Sequence, residues 1–172
     1  PDRAELAYQK AVGLDPNHAS AMVNLGVHYL QNGRYDDAEQ LFERLTTQFK
    51  RTDAVTLTSL GAAYRGHSAD FPPGGQRDSY VVKADGAFKR ATKVNSNYGP
   101  AYYNLGLLYL ENDPFPGIAD PLVRLNAAKG WFDQYKNMPG VDIKLYDDRM
   151  KDVTKLIKRI EKQNKKKKSS NP

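Results

Sequence analysis

The sequence predicts an all-α fold, an α-solenoid of about three and a half helix-turn-helix repeats closed by a C-terminal capping helix. Three observations predict this fold class. A Leu-Gly pattern with helical spacing occurs three times, a second helical pattern follows each copy, and no alternating strand pattern is evident in the 172 residues. Helical patterns that recur every few tens of residues indicate stacked helix pairs that bury a continuous core.

The first pattern is Leu-Gly-x2-Tyr, with a large apolar residue three positions before the Leu. Its copies MVNLGVHYL, LTSLGAAYR and YYNLGLLYL begin at Met22, Leu57 and Tyr102. This spacing places the Leu and Tyr side chains on one face of a helix, and the Gly allows a neighbouring helix to approach closely. Each copy is therefore predicted as the first helix of a repeat. The leucines predicted to be buried are Leu25, Leu60 and Leu105.

The second pattern is Ala-x3-aromatic, with a small or apolar residue three positions after the aromatic. It follows every copy of the first pattern, and it also precedes the first copy, from Ala4 to Ala11. Its small residues can nest against the first helix, so it is predicted as the second helix of each repeat. The full sets are Ala38, Phe42 and Leu45; Ala84, Phe88 and Ala91; and Ala128, Phe132 and Tyr135. The predicted helices span residues 2–14, 19–32, 35–49, 54–66, 79–94, 99–111, 121–137 and 142–165.

Together the two patterns resemble the tetratricopeptide repeat (TPR) family, whose unit of about 34 residues carries W-x2-L-G-x2-Y, then A-x3-F and a closing Pro. The resemblance covers most of the chain. It departs from the family pattern at the Trp position, which holds Met22, Leu57 or Tyr102, and at the closing Pro, which survives only as Pro16. The resemblance implies helix pairs whose first helices line a concave groove for other proteins.

The repeat spacing predicts the domain organisation. Residues 1–140 are predicted to form the array, with inserts at residues 67–78 and 112–120 that lengthen the later repeats. Residues 141–164 carry an apolar stripe at spacings of three and four, which predicts a capping helix over the end of the array. Residues 165–172 are polar and low in complexity, and are predicted to be a disordered basic tail.

The two inserts share a Phe-Pro pair followed by Gly, in ADFPPGGQRDSY and NDPFPGIADPLV. Phe71 and Phe115 are candidate loop anchors for a partner, because an aromatic ring beside Pro is rigid and insertions in repeat proteins often bind. The alternative is that both rings seal the lengthened helices. Asp78 and Asp120 are predicted to cap the helices that follow, the latter with Pro121 at the first helical position.

Composition and motifs predict a protein without a catalytic, cofactor-binding or metal site. The absence of Cys excludes disulfides, cysteine-ligated zinc and a thiol nucleophile. The three histidines have no paired metal-binding spacing, and no HExxH, GxSxG, GxGxxG or phosphate-binding loop occurs.

Protein binding is the function that the resemblance implies. At the family's groove positions the chain carries mainly apolar and small residues, and it lacks the lysines that clamp a terminal carboxylate. Asn24 and Asn104 match the family's position for holding the backbone of an extended peptide, although either amide could instead bond a neighbouring helix. The groove suits a hydrophobic peptide or helix, or the chain's own C-terminal segment. The groove candidates are Val23, Asn24, Val27, Ser59, Ala62, Tyr103, Asn104 and Leu107.

The formal net charge of +6 is concentrated at the C-terminal end. From Arg149 onward, ten Lys and Arg residues stand against two acidic residues, whereas residues 1–148 hold sixteen basic and eighteen acidic residues. The tail could contact an anionic surface or remain solvated. Nucleic acid is disfavoured because no aromatic residues for base stacking lie around it. The candidate tail residues are Lys162, Lys165, Lys166, Lys167 and Lys168.

Residues 99–165 are also similar to TPR lipoproteins of the bacterial gliding-motility envelope machinery. That similarity implies an adaptor on the periplasmic face of the outer membrane, attached through a lipid on an N-terminal Cys that is absent here. The chain starts with Pro1 in a helical pattern, which we interpret as the cut edge of a longer chain. The alternatives are a cytosolic peptide-binding module like a co-chaperone, or binding of nucleic acid or a membrane surface through the tail. The sequence identifies neither the partner nor the compartment.

Overall fold

The structure is a computed structural model that describes residues 2–169, without the side chain of Lys168. These residues form helices and connecting loops and contain no β-strand; one isolated antiparallel bridge joins Phe115 and Ile118. The all-α fold class is therefore confirmed. The helices are α1 (Arg3–Leu14), α2 (Ala19–Gln31), α3 (Tyr35–Thr47), α4 (Ala54–Ser68), α5 (Gly75–Val94), α6 (Gly99–Glu111), α7 (Pro121–Lys136) and α8 (Ile143–Ser169).

The chain forms two compact units, which divide the predicted array of residues 1–140 between Ser96 and Asn97. In the first unit α1 packs against α2, α2 against α3, α3 against α4 and α4 against α5, and α2 also contacts α4. In the second unit α6 packs against α7, and α7 packs against α8. Within the described residues, no helix is both long enough and apolar enough to cross a membrane.

The core of each repeat is a phenylalanine ring held against the glycine of the Leu-Gly pattern. A Cβ atom added to Gly26 would lie 2.7 Å from the Phe42 ring, and one added to Gly61 would lie 2.6 Å from the Phe88 ring. Gly106 stands in the same close relation to Phe132. Each ring is fully buried and occupies the space that a side chain on the glycine would fill. The absence of that side chain therefore allows the two helices of a pair to pack closely. Leu25, Leu60 and Leu105 are buried as predicted, at 4%, 4% and 0% exposure.

Of the two aspartates predicted to cap the helices after the inserts, one caps its helix and the other does not. The Asp120 carboxylate accepts a hydrogen bond from Leu122 N at 2.8 Å and caps α7, which begins with Pro121 as predicted. The prediction that Asp78 caps α5 is wrong, because α5 begins four residues earlier than expected, at Gly75. Asp78 instead accepts a hydrogen bond from the amide of Gly74, the N-cap residue. The positive φ values of Gly74 and Gly75 form the turn that starts this helix, and a pattern of helical spacing does not reveal such a turn.

The last helix, α8, packs on α7 through Tyr146 and the fully buried Val153. The Tyr146 hydroxyl donates to Asp133 Oδ1 at 2.9 Å, which joins the two helices by a polar contact. Ile143 is the first apolar residue at helical spacing in the stripe predicted for residues 141–164, and it is 49% exposed at the start of the helix. The helix also continues beyond the predicted boundary at residue 164. Residues 165–169 are helical and not disordered, because lysine is a good helix former and extends a helix that already exists; residues 170–172 lie outside the described residues.

Candidate protein-binding surfaces

The face of α2 that the sequence predicts as a groove contains Val23, Asn24 and Val27. Asn24 is exposed and both valines are half-buried, whereas Met22 and Leu25 on the other side of the helix are buried. The Asn24 side chain forms no hydrogen bond with the described residues. Its amide can therefore both donate to and accept from a ligand without breaking a contact inside the chain.

A cavity of about 270 Å³ adjoins this face, between α1 and α2. Such a volume accommodates one or two side chains of a bound segment and is smaller than a typical small-molecule site. Two of the predicted groove residues, Asn24 and Val27, therefore border a recess in the first unit. The residues that line the recess are Ala4, Tyr8, Asn24, Val27, His28 and Gln31.

A charged network centred on Glu5 holds α1 against α2 beside this cavity. The Glu5 carboxylate is 6% exposed and accepts hydrogen bonds from Arg34 Nη1 at 2.6 Å and from Gln9 Nε2 at 2.9 Å. His28 Nε2 lies 3.7 Å from the other Glu5 oxygen. A buried carboxylate needs such partners, since an unpaired charge would be strongly destabilising. The sequence patterns do not reveal this network, because Glu5 and Arg34 are 29 residues apart.

The other predicted groove residues are less accessible than those of α2. Ser59 is 9% exposed and Leu107 is 8% exposed, so both leave little surface for a ligand, while Ala62 is half-buried. Tyr103 is half-buried, with its ring against Phe132 of α7 at a centroid distance of 5.7 Å. Asn104 donates to the carbonyl oxygen of Pro100 at 2.8 Å, within its own helix. One of the two N–H donors of Asn104 is thus already bonded within α6, whereas the Asn24 amide forms no hydrogen bond with the described residues.

The two predicted loop anchors pack into the protein in different ways. Phe115 is 6% exposed and stacks on Tyr109 with ring centroids 4.2 Å apart. Phe71 is half-buried and stacks on Tyr80 at 5.7 Å. Phe115 therefore seals the end of α6, which is the alternative that the sequence left open, whereas the half-buried Phe71 keeps part of its ring accessible and stays a predicted anchor. An exposure of 6% leaves Phe115 no free ring for a partner, because the insert folds back on the end of α6.

A buried arginine, which the sequence patterns did not single out, closes the second insert. Arg124 is 3% exposed, and its Nη1 donates to the carbonyl oxygens of Tyr109 and Leu110 at 2.8 and 2.9 Å. These carbonyls belong to the last turn of α6, where they lack partners within the helix. Arg124 Nη2 also lies 3.0 Å from Asp113 in the insert. A buried arginine of this kind fixes the loop to the helix end.

The three side chains of Asp36, Glu39 and His67 converge between α3 and α4. One ligand atom from each lies within 4.8 Å of the others, and His67 Nδ1 is 2.7 Å from Glu39 Oε2. Lys83 Nζ lies 3.9 Å from Glu39 and so already places a positive charge at this acidic cluster. Burial and then the negative charge of Glu39 raise the pKa of the nearby Tyr80 hydroxyl.

The predicted tail residues are presented by a helix. Lys162, Lys165, Lys166 and Lys167 are exposed on the last turns of α8, and the side chain of Lys168 lies outside the described part of the chain. The helix therefore fixes where each of these lysines lies around its axis. A disordered tail would hold them in no fixed arrangement.

The fold and these surfaces define a helical-repeat protein built from stacked helix pairs. Residues 1–52 match the model of the tetratricopeptide repeat family. The structure resembles that of TTC0263, a thermophilic TPR protein in Thermus thermophilus, with a TM-score of 0.69 and 18% identity over 87% of this chain and 75% of that one. It also resembles MamA, with a TM-score of 0.59 and 24% identity over 95% of this chain and 89% of that one. The chain thus has the TPR fold, and the resemblance predicted from the sequence is confirmed at that level.

A curated relative matches over a smaller part of this chain than the two solved structures do. It is the probable UDP-N-acetylglucosamine–peptide N-acetylglucosaminyltransferase SPINDLY of Hordeum vulgare, which is 28% identical over 117 residues. The match covers 64% of this chain and 11% of the relative, so the chain spans about a tenth of that protein's length. The narrower similarity to gliding-motility lipoproteins finds no support in these comparisons and stays a prediction.

Proposed function

We propose that this protein is a non-catalytic scaffold that binds other proteins, with the exposed face of α2 as a contact for a peptide or helix of the partner. The observation that carries the proposal is the position of Asn24. Its amide is exposed, forms no hydrogen bond with the described residues, and borders a recess together with the half-buried Val27. An amide beside apolar side chains can hold the backbone of a bound segment while the valines contact its side chains.

The other surfaces support the choice of α2. In the second unit, one of the two N–H donors of Asn104 is bonded within α6, and Leu107 is buried. In the first unit, Gln9 of α1 donates to the Tyr29 hydroxyl of α2 at 3.3 Å and His28 Nε2 lies 3.7 Å from Glu5, so polar contacts join the two helices that form the recess. A preformed recess binds with less loss of conformational entropy than a surface that must first become ordered.

The experiment is affinity capture from the organism's own lysate with the Asn24→Ala/Val27→Ala variant. We expect the yield of the captured proteins to fall about tenfold, because the loss of hydrogen bonds and apolar contacts worth about 1.4 kcal/mol changes affinity by that factor. A matched control is Gln40→Ala/Val82→Ala, which removes an exposed amide and an exposed valine from α3 and α5. Equal yields from both variants would show that the α2 face is not the binding surface.

We propose further that the assembly this scaffold serves is in a bacterial cell envelope, such as a motility machine. This finer role is supported by the sequence similarity of residues 99–165 alone. Its test is the identity of the proteins captured with the unmodified chain. Outer-membrane and periplasmic proteins are the expected result, and a set of cytosolic chaperones would instead favour the co-chaperone alternative.

A further inference from the structure

The exposed side of α8 carries five lysines in a single line. They follow each other at spacings of four, three, four and three residues, and all five are exposed. At about 100° per residue, they fall on the side of the helix opposite Val153, which is fully buried against α7. The line therefore faces away from the packed core of the second unit. We call it the lysine stripe, and it consists of Lys151, Lys155, Lys158, Lys162 and Lys165.

The charge of the lysine stripe is only weakly compensated within the described residues. At the N-terminal end of the stripe, Lys151 lies 3.5 Å from Asp148, and the exposed Asp147 lines the same depression as the lysines. Exposed charge pairs of this kind contribute little. From Lys155 to Lys165 the one acidic residue is Glu161, which lies on the flank of the stripe. Residues 1–148 have more acidic than basic side chains, so the net positive charge of the chain comes from residue 149 onward. The stripe thus attracts an anionic group that is elongated but narrow.

We propose that the lysine stripe is a second interaction surface, which binds an acidic α-helix of a partner protein. The spacing of the lysines carries this inference. The stripe covers about 21 Å, so its lysines are on average about 5.3 Å apart along the axis. A second helix with carboxylates at spacings of three and four has the same rise and the same period, and each carboxylate therefore stays opposite a lysine along the whole stripe.

Other elongated anions fit the stripe less well. In an extended peptide, side chains on one face are about 6.6 to 6.8 Å apart, so carboxylates would lose their alignment with the lysines. A single-stranded nucleic acid lacks the aromatic side chains on which its bases would stack. At a membrane surface, a helix gains affinity by burying its apolar face. On the apolar face of α8, Tyr146 and Val153 are buried against α7, and Ile157 and Ile160 are half-buried, so only part of that face could enter a membrane.

A helix that lies along the stripe would also find apolar contacts beside the charges. Met150 and Thr154 lie next to the lysines and line a shallow depression together with Lys151, Lys155, Lys158 and, at its N-terminal end, Asp147. The aliphatic stems of the lysines cover apolar surface while their ammonium groups remain in water. The partner helix is therefore expected to carry small apolar residues next to its acidic face.

The test uses the full chain and a fluorescent, alanine-rich helical peptide of about 20 residues, long enough to be helical in water. One peptide carries its glutamates on one face at spacings of three and four. A second peptide has the same composition with the glutamates distributed around the helix. Titrations followed by fluorescence anisotropy at about 0.1 M salt give the dissociation constants, and we expect the patterned peptide to bind about tenfold more tightly.

Two charge-matched variants locate the binding. Lys155→Gln/Lys158→Gln/Lys162→Gln changes three lysines of the stripe, and Lys10→Gln/Lys50→Gln/Lys93→Gln changes three exposed lysines of the first unit. We expect the stripe variant to bind the patterned peptide about tenfold more weakly and the control variant to change affinity less than about twofold. Circular dichroism of both variants establishes that each is folded.

Three results would overturn the proposal. They are equal affinities for the two peptides, equal losses in the two variants, and no saturable binding of the patterned peptide. Tighter stripe-dependent binding to a short DNA duplex, or to phosphatidylcholine vesicles that contain phosphatidylserine, would also overturn it in favour of a phosphate-bearing partner. The stripe shares no residue with the α2 face, so these results leave the proposal for that face untouched.

Discussion

At the scale of single residues, the glycine of each Leu-Gly pattern sets how closely two helices approach. Gly61 illustrates this, since an added Cβ atom would lie 2.6 Å from the Phe88 ring. We predict that Gly61→Ala lowers the free energy of unfolding by about 2 kcal/mol, because the fully buried ring cannot move without disturbing its neighbours. Urea unfolding followed by circular dichroism measures the change.

Gly86 provides the matched control for that substitution. It lies within α5, where an added Cβ atom would meet nothing within 4 Å. Gly86→Ala is expected to stabilise the protein by about 0.5 to 1 kcal/mol, since alanine loses less conformational entropy in a helix. If both substitutions changed stability by the same amount and in the same direction, the close packing of the Leu-Gly pattern would be refuted.

The two insert phenylalanines give a second prediction at this scale. Phe115→Ala removes a ring that is 6% exposed and stacked on Tyr109, so we expect a loss of about 3 kcal/mol or more. Phe71→Ala removes a half-buried ring and is expected to cost less. Thermal or urea unfolding of the two variants checks the order. A larger loss for Phe71 than for Phe115 would contradict the packing described for the inserts.

At the scale of helices, the start of α4 depends on the Asp53 carboxylate. This group accepts hydrogen bonds from Thr56 N at 3.0 Å and Arg51 Nε at 2.8 Å. Burial alone would raise the pKa of Asp53, but these bonds outweigh it and hold the pKa below its ordinary value. The stabilisation is therefore complete above the unfolded-state pKa of about 3.9 and is lost as the pH falls through the lower pKa of the folded protein.

We predict that Asp53→Asn makes the stability of the protein less dependent on pH below about pH 4. Asparagine also caps helices, so the helix start is retained while the titrating group is removed. The free energies of unfolding of the variant and the unchanged protein should differ by less than about 1 kcal/mol, since the carboxylate is partly solvated. The measurement is urea unfolding of both proteins at a series of pH values, and identical pH profiles would contradict the role assigned to Asp53.

The helices were largely predictable from the sequence, and α6 shows why. Its predicted span of residues 99–111 agrees with the structure because apolar residues at helical spacing coincide there with Pro100 near the helix start. The start of α5 was not predictable, since it depends on the backbone angles of two glycines.

The contact of Glu39 with His67 joins residues 28 apart in sequence, and no local pattern encodes such a pair. Accessibility is likewise a property of the folded chain, which is why Asn24 and Asn104 looked equivalent in the sequence.

At the scale of the whole molecule, the buried residues of α8 lie before its basic end, so we expect folding not to depend on that end. The packing of α8 on α7 uses Tyr146 and Val153, which lie well before the lysine-rich end of the helix. We predict that truncation after Asn164 leaves the urea midpoint unchanged, although it removes four of the lysines behind the net charge of +6. A clear fall in the midpoint would mean that residues beyond 164 contribute to the core.

The central claim is that a protein partner contacts the exposed face of α2, and site-specific photocrosslinking tests it most directly. A benzophenone amino acid is placed at Asn24 in one sample and at Gln40, an exposed residue of α3, in the other. After illumination in the native lysate, our account predicts a discrete crosslinked protein for position 24 and none for position 40. Crosslinks of equal yield at both positions, or a product at position 40 alone, would contradict it.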